Sequence, residues 1–180
     1  MPRLFIAIPV PESVGAAWLS MARDLPRSLR RVPPGRMHLT LHFIGEAAVE
    51  PIRSALAGLG LPRMQLKAAG PGLLARRGGA AVVWLGIEPD PALMALHAEI
   101  GDRLRTVGFE PERRAFQPHV TIARGRIHRH DSALEAFLRG TGDAASGPGA
   151  GFDVTSLVLP SSELRPDGPL YREEWSIPVG

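Results

Sequence analysis

Histidine can hold or release a proton near neutral pH, and this chain carries two in the same local setting. His38-Leu39-Thr40-Leu41 and His119-Val120-Thr121-Ile122 both read His, aliphatic, Thr, aliphatic. Successive side chains of a β-strand point to opposite faces, so each copy sets a His beside a Thr on one face and two aliphatics on the other. Two imidazoles can divide a reaction between them. One, neutral, takes a proton from water, and the other, protonated, gives a proton to a leaving oxygen. Thr hydroxyls and nearby backbone N–H groups can hold the non-bridging oxygens of a phosphate. The set suits in-line hydrolysis of a phosphodiester without a metal. It does not suit acyl transfer, because no Ser or Cys nucleophile is placed by motif and the Gly-x-Ser-x-Gly elbow is absent.

A zinc centre is the competing reading. Alternation puts His42 on the face of His38 and Thr40, and with His38 and His119 it would make three nitrogen ligands, although a residue at the edge of the groove is the better reading of His42 than a catalyst. No His-Glu-x-x-His is present, and the hydroxyl beside each motif histidine is a poor zinc ligand. No metal or other cofactor is expected. Polar faces of two half-exposed strands would also produce the repeat. Two copies 81 residues apart, close to half of a 180-residue chain, favour function over coincidence. His97 sits in a helical stretch as a structural or surface residue. Residues 124–130 hold Arg124, Arg126, Arg129, His128 and His130, which suits either a polyphosphate backbone or a solvated turn. Gly70-Pro71-Gly72 and Gly147-Pro148-Gly149 lack the Lys-Ser/Thr of a phosphate-binding P-loop and read as turns.

The elements around the motifs follow from periodicity and punctuation. Strands are expected at residues 3–10, 37–45, 64–69, 81–87, 116–123, 152–159 and 171–178. Helices are expected at 12–25, 49–59, 90–107 and 131–138, the third with Asp90 as cap, Pro91 at its first turn and Gly108 past its end. Residues 32–35 make a turn, 73–79 a loop, 140–151 a loop of small residues, and Pro166-Asp167-Gly168-Pro169 the turn of a hairpin. The second half repeats the order of the first. That predicts a pseudo-duplicated α+β fold, with two antiparallel sheets facing each other across a cleft and one His-Thr pair on each wall.

Composition bounds the rest. At 44% hydrophobic and 22% charged residues, the chain falls in the ordinary globular range and fits a single domain over 1–180. There is no cysteine, so no disulfide and no thiolate metal site. No apolar run approaches a membrane span. The apolar N-terminus is broken by Pro9, Pro11 and Glu12, which is unlike a signal peptide. A cytoplasmic monomer is expected. Net charge is +3, and Lys67 is the only lysine beside the arginines. So small a charge does not argue for wrapping duplex nucleic acid.

The order of motifs resembles the two-histidine (2H) phosphoesterase superfamily, and within it the RNA 2′,3′-cyclic phosphodiesterase (2′-5′ RNA ligase) family. The resemblance rests on Arg3-Leu4-Phe5-Ile6-Ala7-Ile8, on the run from His38 to Glu46, and on Val83-Trp84-Leu85-Gly86. It continues through Gly108-Phe109-Glu110-Pro111-Glu112, the run from Phe116 to Arg124, Leu157-Val158-Leu159 and Tyr171, nearly the whole chain in order. It implies a bilobal fold whose central cleft is lined by both motifs, with helices outside. It implies that His38 is the general acid protonating the ribose 3′ oxygen and His119 the general base activating water. Thr40 and Thr121 would bind the cyclic phosphate, and Arg124, following the second motif, would contact phosphate or base. Phe5 and Phe43 are candidates for base stacking. The partner implied is RNA or a nucleotide ending in a 2′,3′-cyclic phosphate, hydrolysed to a 2′-phosphomonoester. The same site would serve 2′-5′ ligation or a small cyclic nucleotide. A module that binds RNA ends without turnover is the non-enzymatic alternative.

Overall fold

The computed structural model describes residues 1–127, 131–140, 150–165 and 168–180. His128 and His130, the triplet 147–149 and the tip of the 166–169 turn lie outside these residues, as does most of the 140–151 loop.

The first strand, β1 (Arg3–Pro9), is apolar on both faces and buried at all five interior positions. Strands of that kind sit inside a sheet. β1 pairs antiparallel with β3 (His38–Glu46) on one side and β8 (Ser156–Arg165) on the other, and β9 (Gly168–Pro178) lies outside β8. In the second half, β6 (His119–Arg126) lies between β5 (Ala80–Ile87) and the short β2 (Leu29–Arg31). β5 continues to β4 (Gln65–Ala75), and β4 to β7 (Gly151–Asp153). Every pairing is antiparallel. The two sets of strands meet at one bridge, Leu39 opposite Val120. Both of these side chains are fully buried, in one core that runs through both halves.

Among the described residues, four α-helices cover the strands: α1 (Glu12–Met21), α2 (Val49–Leu56), α3 (Pro91–Arg105) and α4 (Ser132–Arg139). Asp90 caps α3 by accepting from the backbone N–H groups of Ala92 (2.8 Å) and Leu93 (3.1 Å), and Asp131 caps α4 from Leu134 N–H at 3.0 Å. Trp18 of α1 packs edge-on against Phe152 of β7, with ring centroids 6.2 Å apart. α3 packs on α2 and on β3. Among the described residues, no helix is long and apolar enough to cross a membrane.

Several elements differ from expectation. The strand at 64–69 does not end at Gly70-Pro71-Gly72. β4 runs through the triplet to Ala75, with a register shift between Ala68 and Pro71 that absorbs the proline. The segment 152–159 is two strands. Phe152 belongs to β7, and Leu157, Val158 and Leu159 belong to β8, on the far side of the molecule. β2, too short for periodicity to register, was not expected. The helices over 12–25 and 49–59 end earlier, at Met21 and Leu56, the second just before Gly58 at φ +69°.

Candidate active site

The Leu39–Val120 bridge fixes the site. Because these two residues turn inward, their neighbours turn outward. His38, Thr40, His119 and Thr121 come to the same side of the joined strands and line one cavity of about 1010 Å³. β3 and β6 thus deliver their His-Thr pairs to a common pocket.

Each imidazole is held the same way. His38 Nδ1 lies 2.9 Å from the carbonyl of Arg36, and His119 Nδ1 lies 2.8 Å from the carbonyl of Gln117. A carbonyl only accepts, so each Nδ1 donates and Nε2 is the nitrogen left for chemistry. In both cases the acceptor is two residues upstream, in the stretch that leads into the strand.

The two rings differ in surroundings. His38 packs against Phe5, at 4.9 Å between centroids, and edge-on against Tyr171, at 5.2 Å. Burial, foremost, and the Arg124 guanidinium push its pKa down to about 4, against the opposing pull of the Arg36 carbonyl. His38 is therefore neutral at pH 7 in the free protein. His119 is exposed, and its nearest ring is Trp84, at 5.5 Å.

Both motif strands carry a bulge at the same place. In β3 the register moves from Ala7 opposite Thr40 to Ile6 opposite His42, leaving Leu41 as the extra residue. In β6 it moves from Trp84 opposite Thr121 to Val83 opposite Ala123, leaving Ile122 as the extra residue. A bulge shifts the alternation by one. The fifth motif positions, His42 and Ala123, consequently turn into the core, and the sixth, Phe43 and Arg124, come round to the cavity.

This corrects the placing of His42 on the face of His38 and Thr40. His42 is 5% exposed, and its Nε2 lies 2.9 Å from the carbonyl of His97 on α3. Its ring stacks on His97 at 4.2 Å, and His97 stacks on Phe116 at 4.0 Å. Burial is the main reason both imidazoles have lowered pKa values, His97 to about 4. His97 thus has the structural role its place in a helix suggested. Among the described residues, no three His, Asp or Glu side chains gather as metal ligands.

Of the remaining site residues expected from sequence, Arg124 and Phe43 reach the cavity, and Phe43 is 62% exposed. Phe5 does not. At 4% exposure it is packed behind His38 and presents no free face to a base. Sequence reasoning missed Trp84, Tyr171, Arg36 and Arg76, all on the cavity wall. Trp84 was legible as a polar-tipped ring alternating inside an otherwise aliphatic strand. Arg36 and Arg76 lie outside any motif, and only the fold brings them in. Among the described residues Arg36, Arg76 and Arg124 have no carboxylate partner, whereas Arg114 on the rim is paired with Glu112 at 2.8 Å. The wall is suited to anions.

Known proteins bear on this arrangement. The profile of the 2′-5′ RNA ligase superfamily matches residues 10–164. An RNA 2′,3′-cyclic phosphodiesterase of Aeropyrum pernix is 32% identical over 154 residues, covering 83% of this chain and 85% of its own. One from Archaeoglobus fulgidus is 26% identical and covers 95% and 97%. A crystal structure of Escherichia coli LigT complexed with 3′-AMP superimposes with a TM-score of 0.79 over 99% of this chain and 98% of that one, at 23% identity. That likeness concerns the fold.

Proposed function

The chain belongs to the 2′-5′ RNA ligase superfamily, and from that premise we propose that it hydrolyses RNA 2′,3′-cyclic phosphodiester ends to 2′-phosphomonoesters. The observation that carries the reading is the paired anchoring of His38 and His119, each with Nε2 left free on the wall of one anion-suited cavity. The phosphate sits between the two imidazoles, its non-bridging oxygens held by the Thr40 and Thr121 hydroxyls and by Arg124. His119 takes a proton from water, and the water oxygen bonds to phosphorus. The bond from phosphorus to the ribose 3′ oxygen breaks, and His38 protonates that oxygen. No metal takes part. The phosphate's negative charge offsets the repulsion from Arg124 and raises the His38 pKa, so that His38 takes up from solvent the proton it gives to the 3′ oxygen.

The substrate is RNA, or a nucleotide, ending in a 2′,3′-cyclic phosphate, and the protein works as a monomer, since one chain supplies every residue named. A cytoplasmic place fits an RNA substrate and a chain without cysteine.

The test is an oligoribonucleotide ending in a 2′,3′-cyclic phosphate, incubated with excess EDTA and analysed for a 2′-phosphate end. Turnover is expected, with His38→Ala and His119→Ala each losing about 10²–10⁴-fold. A double His variant that turns over at the wild-type rate would end the reading.

A further inference from the structure

Trp84 is the largest ring on the wall that carries His119, and the hydrolysis described above gives it no task. It stands on β5 with Gly72 of β4 opposite it on one side and Thr121 of β6 on the other. A Cβ on Gly72 would overlap the Cε2, Cζ2 and Cη2 atoms of the six-membered ring of the indole. A Cβ on Gly86, the next residue on the same face of β5, would come within 3.6 Å of Cζ3. The indole therefore lies down across the bare backbone of Gly72, which makes room for it, while the Gly86 position is only in ordinary van der Waals range of the ring. One π-face is covered by the strand. The other borders the cavity and is partly exposed, with His119 5.5 Å away between ring centroids. Farther along the same wall come Leu74, 50% exposed, and then Arg76. A large aromatic ring fixed flat, open on one side and bordering an anion-suited cavity, is a surface for another flat ring.

We propose that the open face of Trp84 is a stacking floor for the nucleobase of the substrate's terminal nucleotide. The proposal rests on the hydrolase reading and extends it from phosphate to base. The protein then takes its phosphodiester as part of a nucleotide, and it favours purines, whose larger rings cover more of the indole. Phe43 on the opposite wall is more exposed and leans on the tilted ring of Phe5, 6.3 Å away between centroids, so its ring is less pre-set for stacking.

The experiment compares adenosine and cytidine 2′,3′-cyclic phosphates as substrates. The wild type is expected to show a lower KM for the adenosine compound. Trp84→Ala should raise that KM about tenfold or more and level the two substrates, with kcat changed far less. Trp84→Phe should keep part of the preference. Gly72→Ala, which forces the ring off its floor, should act in the same direction as Trp84→Ala. A merely structural Trp84 would lower kcat on both substrates alike. A second arm reads binding without turnover: adenosine 2′-monophosphate should quench emission in the wild type more than in Trp84→Phe. Unchanged KM and preference in folded Trp84→Ala overturns the proposal, as does a preference that disappears in Phe43→Ala instead. Quenching through Trp84 in a protein that hydrolyses neither substrate would sink the hydrolase reading and leave the stacking floor in place.

Discussion

The Nδ1 anchors of His38 and His119 set which nitrogen reacts, but they are alike in both rings and do not set which ring is acid and which base. A bell-shaped pH profile does not separate the roles either, because the singly protonated pair titrates as a unit whichever ring holds the proton. The leaving group does separate them. On a substrate whose leaving group needs no proton, such as a nucleoside 2′-(p-nitrophenyl) phosphate, His38→Ala should lose far less activity than on the cyclic phosphate. His119→Ala should lose the same on both. The reverse pattern exchanges the roles. Thr40→Val and Thr121→Val keep shape and remove a hydroxyl that bonds to a charged oxygen. Each should cost about 1.5–3 kcal/mol of transition-state binding, roughly 10- to 100-fold in kcat/KM.

At the scale of elements, the bulges after the two Thr residues decide what else reaches the phosphate. Regular alternation from Thr121 would send Arg124 to the core. The extra residue Ile122 brings it round, close enough for its charge to help hold the His38 pKa down. Removing that cation raises the His38 pKa. In Arg124→Gln the acid limb of the kcat/KM profile, expected near pH 4 in the wild type, should therefore move to higher pH, together with a rise in KM. A limb that stays in place would mean that Arg124 touches only the substrate. The bulge in β3 turns His42 toward α3 by the same geometry, which is why His42, alternating with His38 and Thr40 in sequence, borders the cavity only from its buried side and is tied to the His97 carbonyl.

Across the whole molecule, the two halves are joined at Leu39 and Val120, and the site exists only while that bridge holds. Leu39→Ala should cost about 2–5 kcal/mol in denaturant unfolding, and turnover should fall even where the protein remains folded. Stability should also depend on pH through His38, His42 and His97. Their pKa values are lowered, so the unfolded chain takes up protons at about pH 6.5 while the folded one does not until about pH 4 for His38 and His97. Stability should consequently fall as pH drops through that window and level off below it. Tm measured from pH 7.5 to pH 4 checks this, and His97→Phe, which keeps a ring between His42 and Phe116, should make the decline shallower.

The local pattern settled a good deal. Two His-Thr pairs on strands, the Asp90 and Asp131 caps and the antiparallel halves were all legible, because each depends on residues close in sequence and on a period of two or 3.6. Other features depended on partners distant in sequence. Whether 152–159 is one strand or two is decided by β4 and β1, which claim its two ends. Phe5 reads as a ring free to stack until His38 and Tyr171 close over it. The bulges at Leu41 and Ile122 arise from register against β1 and β5, and a single strand carries no register. The sequence by itself determined which groups could do the chemistry, and only the tertiary structure decided which of them share a cavity, since a side chain's direction follows from the strands paired beside it.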